Sequence, residues 1–353
     1  MKSKFILFGF FLFTFLSFKF PEDHSFHSKF GLEWVYFVGH LQSESGEEFG
    51  YELSFFRLSV GEKNGISKLE IFPVHFAISS VKDKKHKSFE TRQRSIGNLA
   101  GYSTQRIYSG EYLFEILNEK KFHIAANPKF SKEGLDLILE SKGSPLPHGK
   151  NGISIKSPKN PSIFSHYYSY PRLESRGTLI FLNKTYKIST GESWMDHEWS
   201  QEFNSNPSIV SGDTSWDWLC LSSDDGSDFV SFNFRSSKLS DSESTGIFRN
   251  RFGGIERYEK LGELTMNAIE SGNWKSQKSG ITYPLHWKIV FPKGFWIVRP
   301  MFNEQEFDGM ESTGNVYWEG MVKAEGEIDG KKRTAKGYLE LKGYVNSSKW
   351  WKL

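Results

Sequence analysis

The stretch EWVYFVGHLQSESGEEFGYELSFFR, Glu33 to Arg57, decides the fold, because its pattern returns as DWLCLSSDDGSDFVSFNFR, Asp217 to Arg235. In both, an acid stands beside a tryptophan, an apolar strand follows, a glycine-bearing turn reverses the chain, and an aromatic strand ends in Phe-Arg. Apolar and polar residues alternate with the period of two expected of half-buried strands, and SESGEE and SSDDGSD have the composition that closes hairpins. A second pair stands in the same relation: GTLIFLNKTYKISTGESWMDHEW from Gly177 and GEIDGKKRTAKGYLELKGY from Gly326. In each, a glycine opens a basic hairpin and another precedes the last strand. The same module therefore occurs twice, with the boundary in EFNSNPSIVSGDTS, Glu202 to Ser215.

Outward from these pairs, further alternating runs recur at short intervals, among them KFHIAANPKF, GLDLILES and LHWKIVFP. No segment sustains an apolar pattern at helical spacing; IERYEKLGELTMNAIESG, from Ile255, holds at most a turn of helix. Aromatic residues make up 16% of the chain and glycine outnumbers proline 32 to 12, which favours strands and tight turns over helices. The reading is all-β, with antiparallel barrels or sandwiches at 24–203 and 214–353, and 353 residues suffice for two such domains. A formal charge of +3 creates no field that would draw the chain to nucleic acid. Lys2 and Lys4 followed by the apolar run Phe5 to Phe18 make residues 1–20 a signal peptide, which predicts an exported protein, periplasmic or held in the cell envelope; no A-x-A-like cleavage site follows, so an uncleaved anchor or a buried first strand is the alternative. The single Cys220 rules out an intrachain disulfide, so such a protein depends on core packing alone.

The chemistry concentrates in ESWMDHEWSQEF, Glu192 to Phe203, where Asp196, His197 and Glu198 stand between Trp194 and Trp199. Charged groups among large rings are costly unless paired, so this is either a reactive site or a polar girder that closes a barrel end. As a strand, it sends Trp194, Asp196, Glu198 and Ser200 to one face and Met195, His197, Trp199 and Gln201 to the other. His197 can move a proton near neutral pH and the neighbouring Trp199 indole can steady a cation, which suits protonation of an alkene. Asp217, between Trp216 and Trp218, is placed to face the same cleft and orient His197. Trp34 and Tyr36 of the first acid-Trp strand complete the expected lining. No metal is expected, since His197 and Glu198 point oppositely in a strand and His24 and His27 of HSFH lie beside the leader. Neither a P-loop, a dinucleotide fingerprint nor a G-x-S-x-G elbow is present.

HSKFGLEWVYFVGHL, GESWMDHEWSQ, WDWLCLSSDDG and YWEGMVKAEGEIDGKKRTAKGYLELKGY together resemble the AttH-like and CrtC-like family, the carotenoid 1,2-hydratase group of lipocalin-like proteins. The resemblance follows the family's order and covers nearly all of the chain after the leader. It implies two lipocalin-like, calycin-like β-barrels packed side by side, with a cleft for a hydrophobic, isoprenoid or lipid-like molecule. It further implies water addition to a carbon–carbon double bond without a cofactor, carried by His197 and Trp199 with Asp217 as acidic partner and Asp196 and Glu198 in support. Two other functions follow from the same resemblance: a non-catalytic lipid carrier serving an ABC-type export system, and a secreted hydrolase.

Overall fold

A computed structural model describes residues 18–60, 69–156, 164–200, 214–236 and 243–344. Most of the expected leader, residues 1–17, and most of the expected inter-module stretch lie outside the described residues. Within them the chain is all-β: the helical turns are two 3-10 turns, Glu22–His24 and Glu270–Gly272, the second inside the stretch expected to hold one. No described helix is long and apolar enough to cross a membrane.

The first sheet has 13 strands, running from Leu32–Ser43 to Lys184–Ser200. It curls until Ser109 of the strand Arg106–Ser109 donates a hydrogen bond to the Phe72 carbonyl of Leu69–Ser80 (2.8 Å), nearly closing a barrel. The second sheet has 10 strands, from Thr214–Ser223 to Lys331–Lys342, and curves into a half-barrel. Each sheet is wound alike: its first strand pairs antiparallel with both the next strand and the last one. Alternation fills each interior, with Val35, Phe37, Phe55, Phe76 and Met195 in the first and Leu219, Trp296, Trp318 and Leu339 in the second. A third apolar cluster lies between the sheets, where Tyr36, Val38 and Trp194 meet Trp218, Cys220, Met321 and Tyr338. Phe18 and Phe20 pack against the first core, so the chain from Phe18 onward belongs with the first barrel.

The recurring glycines have a steric cause. A Cβ on Gly177 would sit 2.1 Å from the Asp136 carbonyl oxygen, and one on Gly326 2.0 Å from that of Phe295. At Gly337 the clash is with the Cys220 carbonyl, at 1.7 Å. Both modules thus use glycine where adjacent strands approach too closely for a side chain. Gly177 also holds φ at +151°, so Gly177→Ala combines backbone strain with a clash. The expected cost is about 2–4 kcal/mol, seen as a fall of several degrees in Tm; an unchanged Tm contradicts this origin for the pattern.

Candidate functional site

The strand Lys184–Ser200 divides its side chains as alternation requires. Met195 and Trp199 enter the first barrel's core, whereas Trp194 turns outward to the second sheet. His197 follows Trp199 inward, and Asp196 and Glu198 follow Trp194 outward, all three buried. The residues expected to line one cleft therefore form two separate sites. Asp217 belongs to neither. It faces into the second barrel, where it accepts hydrogen bonds from Arg235 Nε and Nη2 (both 3.0 Å), Asn233 (2.9 Å) and Tyr344 (2.9 Å). It cannot orient His197, because the strand's alternation sends Trp216 and Trp218 to the interface and Asp217 the other way.

His197 is held instead by Glu33, the acid of the first acid-Trp pair. His197 Nε2 lies 2.8 Å from Glu33 Oε1, and Nδ1 lies 3.0 Å from the Tyr168 hydroxyl. His27 Nδ1 reaches the same Glu33 oxygen at 2.6 Å, and its Nε2 faces Asp23 at 3.3 Å. The HSFH segment, whose histidines are set aside as metal ligands for lying beside the leader, thus lies across the barrel mouth, with His24 fully buried between the Tyr168 hydroxyl (2.7 Å) and the Glu119 carbonyl (2.9 Å). Trp199 stacks on His27 at 4.0 Å between centroids. Burial opposes charge on Glu33, but hydrogen bonds from His197 and His27 outweigh it and hold the carboxyl below its ordinary range. Every nitrogen of these three histidines has a partner.

The outward face is chemically different. Between the sheets the tyrosines and glutamates cross over. Tyr36 of the first barrel donates to Glu319 Oε1 of the second (2.7 Å), and Tyr317 of the second donates to Glu52 Oε1 of the first (2.8 Å). Ser54 adds a bond to the same Glu52 oxygen (3.0 Å), and His75 Nδ1 lies 2.7 Å from the Tyr317 hydroxyl. Glu52 Oε2 and Glu319 Oε2 have no protein partner although both are buried. Burial pushes both carboxyls up, and for Glu319 the neighbouring Glu52 charge adds to the effect. A carboxylic acid with its partners crowded on Oε1 carries its proton on the free Oε2, aimed at nothing in the protein.

Asp196 and Glu198 of this layer are engaged. Asp196 accepts from Trp194 Nε1 (2.6 Å) and Ser169 (2.5 Å) on one oxygen and Tyr167 (2.6 Å) on the other. Burial raises it to about 7 against the pull of those three donors. Both of its oxygens are engaged by protein donors, and it acts as a wall fixture. Glu198 is ion-paired with Lys156, whose ammonium also lies 5.0 Å from the Tyr167 ring centre. Trp34, Trp216, Glu340 and Lys342 are only half-buried and form the solvent side of the layer, with Lys342 Nζ 3.8 Å from the Trp216 ring centre. Trp218 is fully enclosed and meets Tyr36 edge-on at 5.3 Å. At the opposite end a groove of about 580 Å³ runs between the sheets from His40 and Glu48 to Asp224 and Lys336, floored by Met321. Gly50 packs against Tyr338 and Met321, where a Cβ would clash with both.

A family profile described as AttH-like matches residues 16–344. No curated protein matches the sequence. Among solved structures, an AttH protein from Nitrosomonas europaea is 26% identical, with a TM-score of 0.82 over 93% of this chain and 98% of that one. Kievitone hydratase from Nectria haematococca shares the fold at 15% identity, with a TM-score of 0.72 over 93% and 94% of the two chains. CghA, solved with Sch210972, shares it more distantly, at 12% identity and a TM-score of 0.55 over 89% and 88%. The two-sheet architecture, its order of strands and the profile match along nearly the full length agree: this chain belongs to the AttH-like family.

Proposed function

We propose that this protein is a hydratase that adds water across a carbon–carbon double bond of an apolar, isoprenoid or lipid-like molecule held between its two sheets. The observation that carries the reading is the pair of buried glutamates, Glu52 and Glu319, each with one oxygen unpartnered. Hydration of an alkene needs a proton donor that is still protonated at neutral pH and a second group to take the proton from water. Two mutually repelling, buried carboxyls meet both needs once the pair has lost one proton: Glu52, raised by burial to about 8, is the first to ionise, and its charge then adds to burial in holding the proton on Glu319, so turnover should rise as pH approaches 8.

In the forward direction the neutral acid gives its Oε2 proton to the less substituted alkene carbon, leaving a cation on its neighbour. The rings of Trp34, Tyr36 and Trp218 supply the negative ring potential that steadies such a charge. Water attacks the cation and loses a proton to the ionised partner, so the alkene gains one water and the carboxyl pair keeps one proton in total. The fold shared with kievitone hydratase is consistent with this chemistry. The basic and apolar opening of the sequence supports action outside the cytoplasm.

Incubation with a panel of acyclic isoprenoids and prenylated phenols in oxygen-18 water, read by mass spectrometry, tests the proposal. The expected product is an alcohol carrying the label. A compound that binds and is recovered without label, across the panel, rejects turnover and leaves a carrier.

A further inference from the structure

The acid-Trp motif occurs once in each barrel, yet its acid is neutralised differently. In the second barrel Asp217 is clamped by Arg235. In the first, the Phe-Arg arginine is turned away: Arg57 binds Glu70 and the carbonyl oxygens of His27, Ser28 and Phe30. Glu33 is left to two imidazoles.

We propose that His27, Glu33 and His197 form a site for a divalent metal ion of the zinc class, which fastens the Phe18–Phe30 segment across the mouth of the first barrel. This inference is independent of the hydratase reading, since these side chains face away from the Glu52–Glu319 pair. The three donor atoms lie within 4.8 Å of one another. A four-coordinate ion with bonds of about 2.0–2.1 Å spaces its donors by about 3.3 Å. The Glu33 oxygen, now 2.6 Å from His27 Nδ1 and 2.8 Å from His197 Nε2, must withdraw by about 0.6 Å to admit one.

The surroundings are those of a ligand set. Metal-bound imidazoles donate through the other ring nitrogen to a carboxylate or similar acceptor, which fixes the tautomer. His27 Nε2 faces the Asp23 carboxylate, and His197 Nδ1 faces the Tyr168 hydroxyl oxygen, whose own hydrogen goes to His24 Nδ1 (2.7 Å) and leaves its lone pair free to accept. Trp199 stacked on His27 at an interplanar angle of 18° sets the ring plane. Backbone pairing fixes the rest: Glu33 lies opposite Trp199, and Val35 opposite His197. Two imidazoles and one carboxylate suit zinc and its neighbours better than calcium or magnesium, which prefer oxygen.

The test is zinc titration of the full-length protein after chelation and dialysis, with bound metal counted by elemental analysis and cobalt substituted to give a visible spectrum. One ion per chain is expected, with a cobalt spectrum of tetrahedral intensity. His27→Gln should weaken zinc binding by at least 100-fold, Asp23→Asn by about 10- to 100-fold, and the half-buried control His123→Gln, outside the site, not at all. Less than a tenth of an ion per chain at tens of micromolar free zinc overturns the proposal, as does stoichiometric binding that survives His27→Gln. If that variant fails to fold, X-ray absorption of the zinc-loaded wild type decides: two imidazoles and a carboxylate oxygen support the site, and any other donor set refutes it.

Discussion

Replacing Glu319 with glutamine is expected to lower kcat for water addition by about 10²- to 10⁴-fold, the usual worth of a positioned acid or base. The amide keeps the shape and still accepts the Tyr36 hydrogen bond, so the fold and the affinity for the apolar ligand should change little. What it lacks is a proton that can leave from the second oxygen. Glu52→Gln should behave in the same way, because the reaction moves one proton from one carboxyl to the other. The double variant should then lose no more than the worse single, since groups that act as a unit do not contribute additively. Single-turnover kinetics beside a binding measurement separate the effects. A Glu319→Gln protein that retains more than a tenth of wild-type turnover removes Glu319 from the chemistry.

The second large effect is on stability and follows from the same two groups. Their folded pKa values lie above the ordinary glutamate value of 4.5 because burial disfavours the charge. Between 4.5 and those raised values the folded protein holds more protons than the unfolded chain, so stability falls as pH rises. Each unit of elevation is worth about 1.4 kcal/mol. Buried histidines act in the other direction at lower pH: His24, His40 and His75 are held at about 3, 4 and 3, mainly by burial. Their contribution is present above pH 6.5 and is lost as pH falls through the acidic range. The carboxyl effect is therefore cleanest between pH 6.5 and 8.5. Over that window the wild type should lose roughly 5–10 °C of Tm relative to Glu52→Gln/Glu319→Gln; groups remote from the pair cancel in the difference, and Glu340, itself raised by burial to about 7 beside the pair, adds to it. Parallel curves for the two proteins contradict the raised carboxyls.

Much of this architecture is visible in local patterns. Alternation places Met195, His197 and Trp199 on one face of their strand and Trp194, Asp196 and Glu198 on the other, and the structure keeps that division. The recurring acid-Trp and Gly-led strands take equivalent places in the two sheets. The acid pair is not legible. Glu52 in GYELSFF and Glu319 in YWEGM occupy outward positions of ordinary strands, where an acid normally meets water, and only the second sheet laid against the first buries them. Their one sequence sign is that strong aromatics flank them on the outward face: Phe56 two places beyond Ser54, and Tyr317 two before Glu319. His27 neighbours the leader and nothing around it in the sequence marks a site, yet Glu33 and Arg57 hold its segment in place from inside the barrel. The repetition of acids among tryptophans suggests that Asp217 faces His197; the period of two on its own strand sends it into the second barrel instead.

All of the chemistry proposed for the interface depends on neutral carboxylic acid being present there at physiological pH. Infrared difference spectroscopy of the wild type against Glu52→Gln and Glu319→Gln at pH 7 measures this directly, through the carbonyl stretch of protonated carboxyl groups. The account predicts a band in the wild type, shifted in deuterated water and diminished in each variant. A wild-type spectrum with no protonated-carboxyl band, or one that both variants leave unaltered, contradicts it.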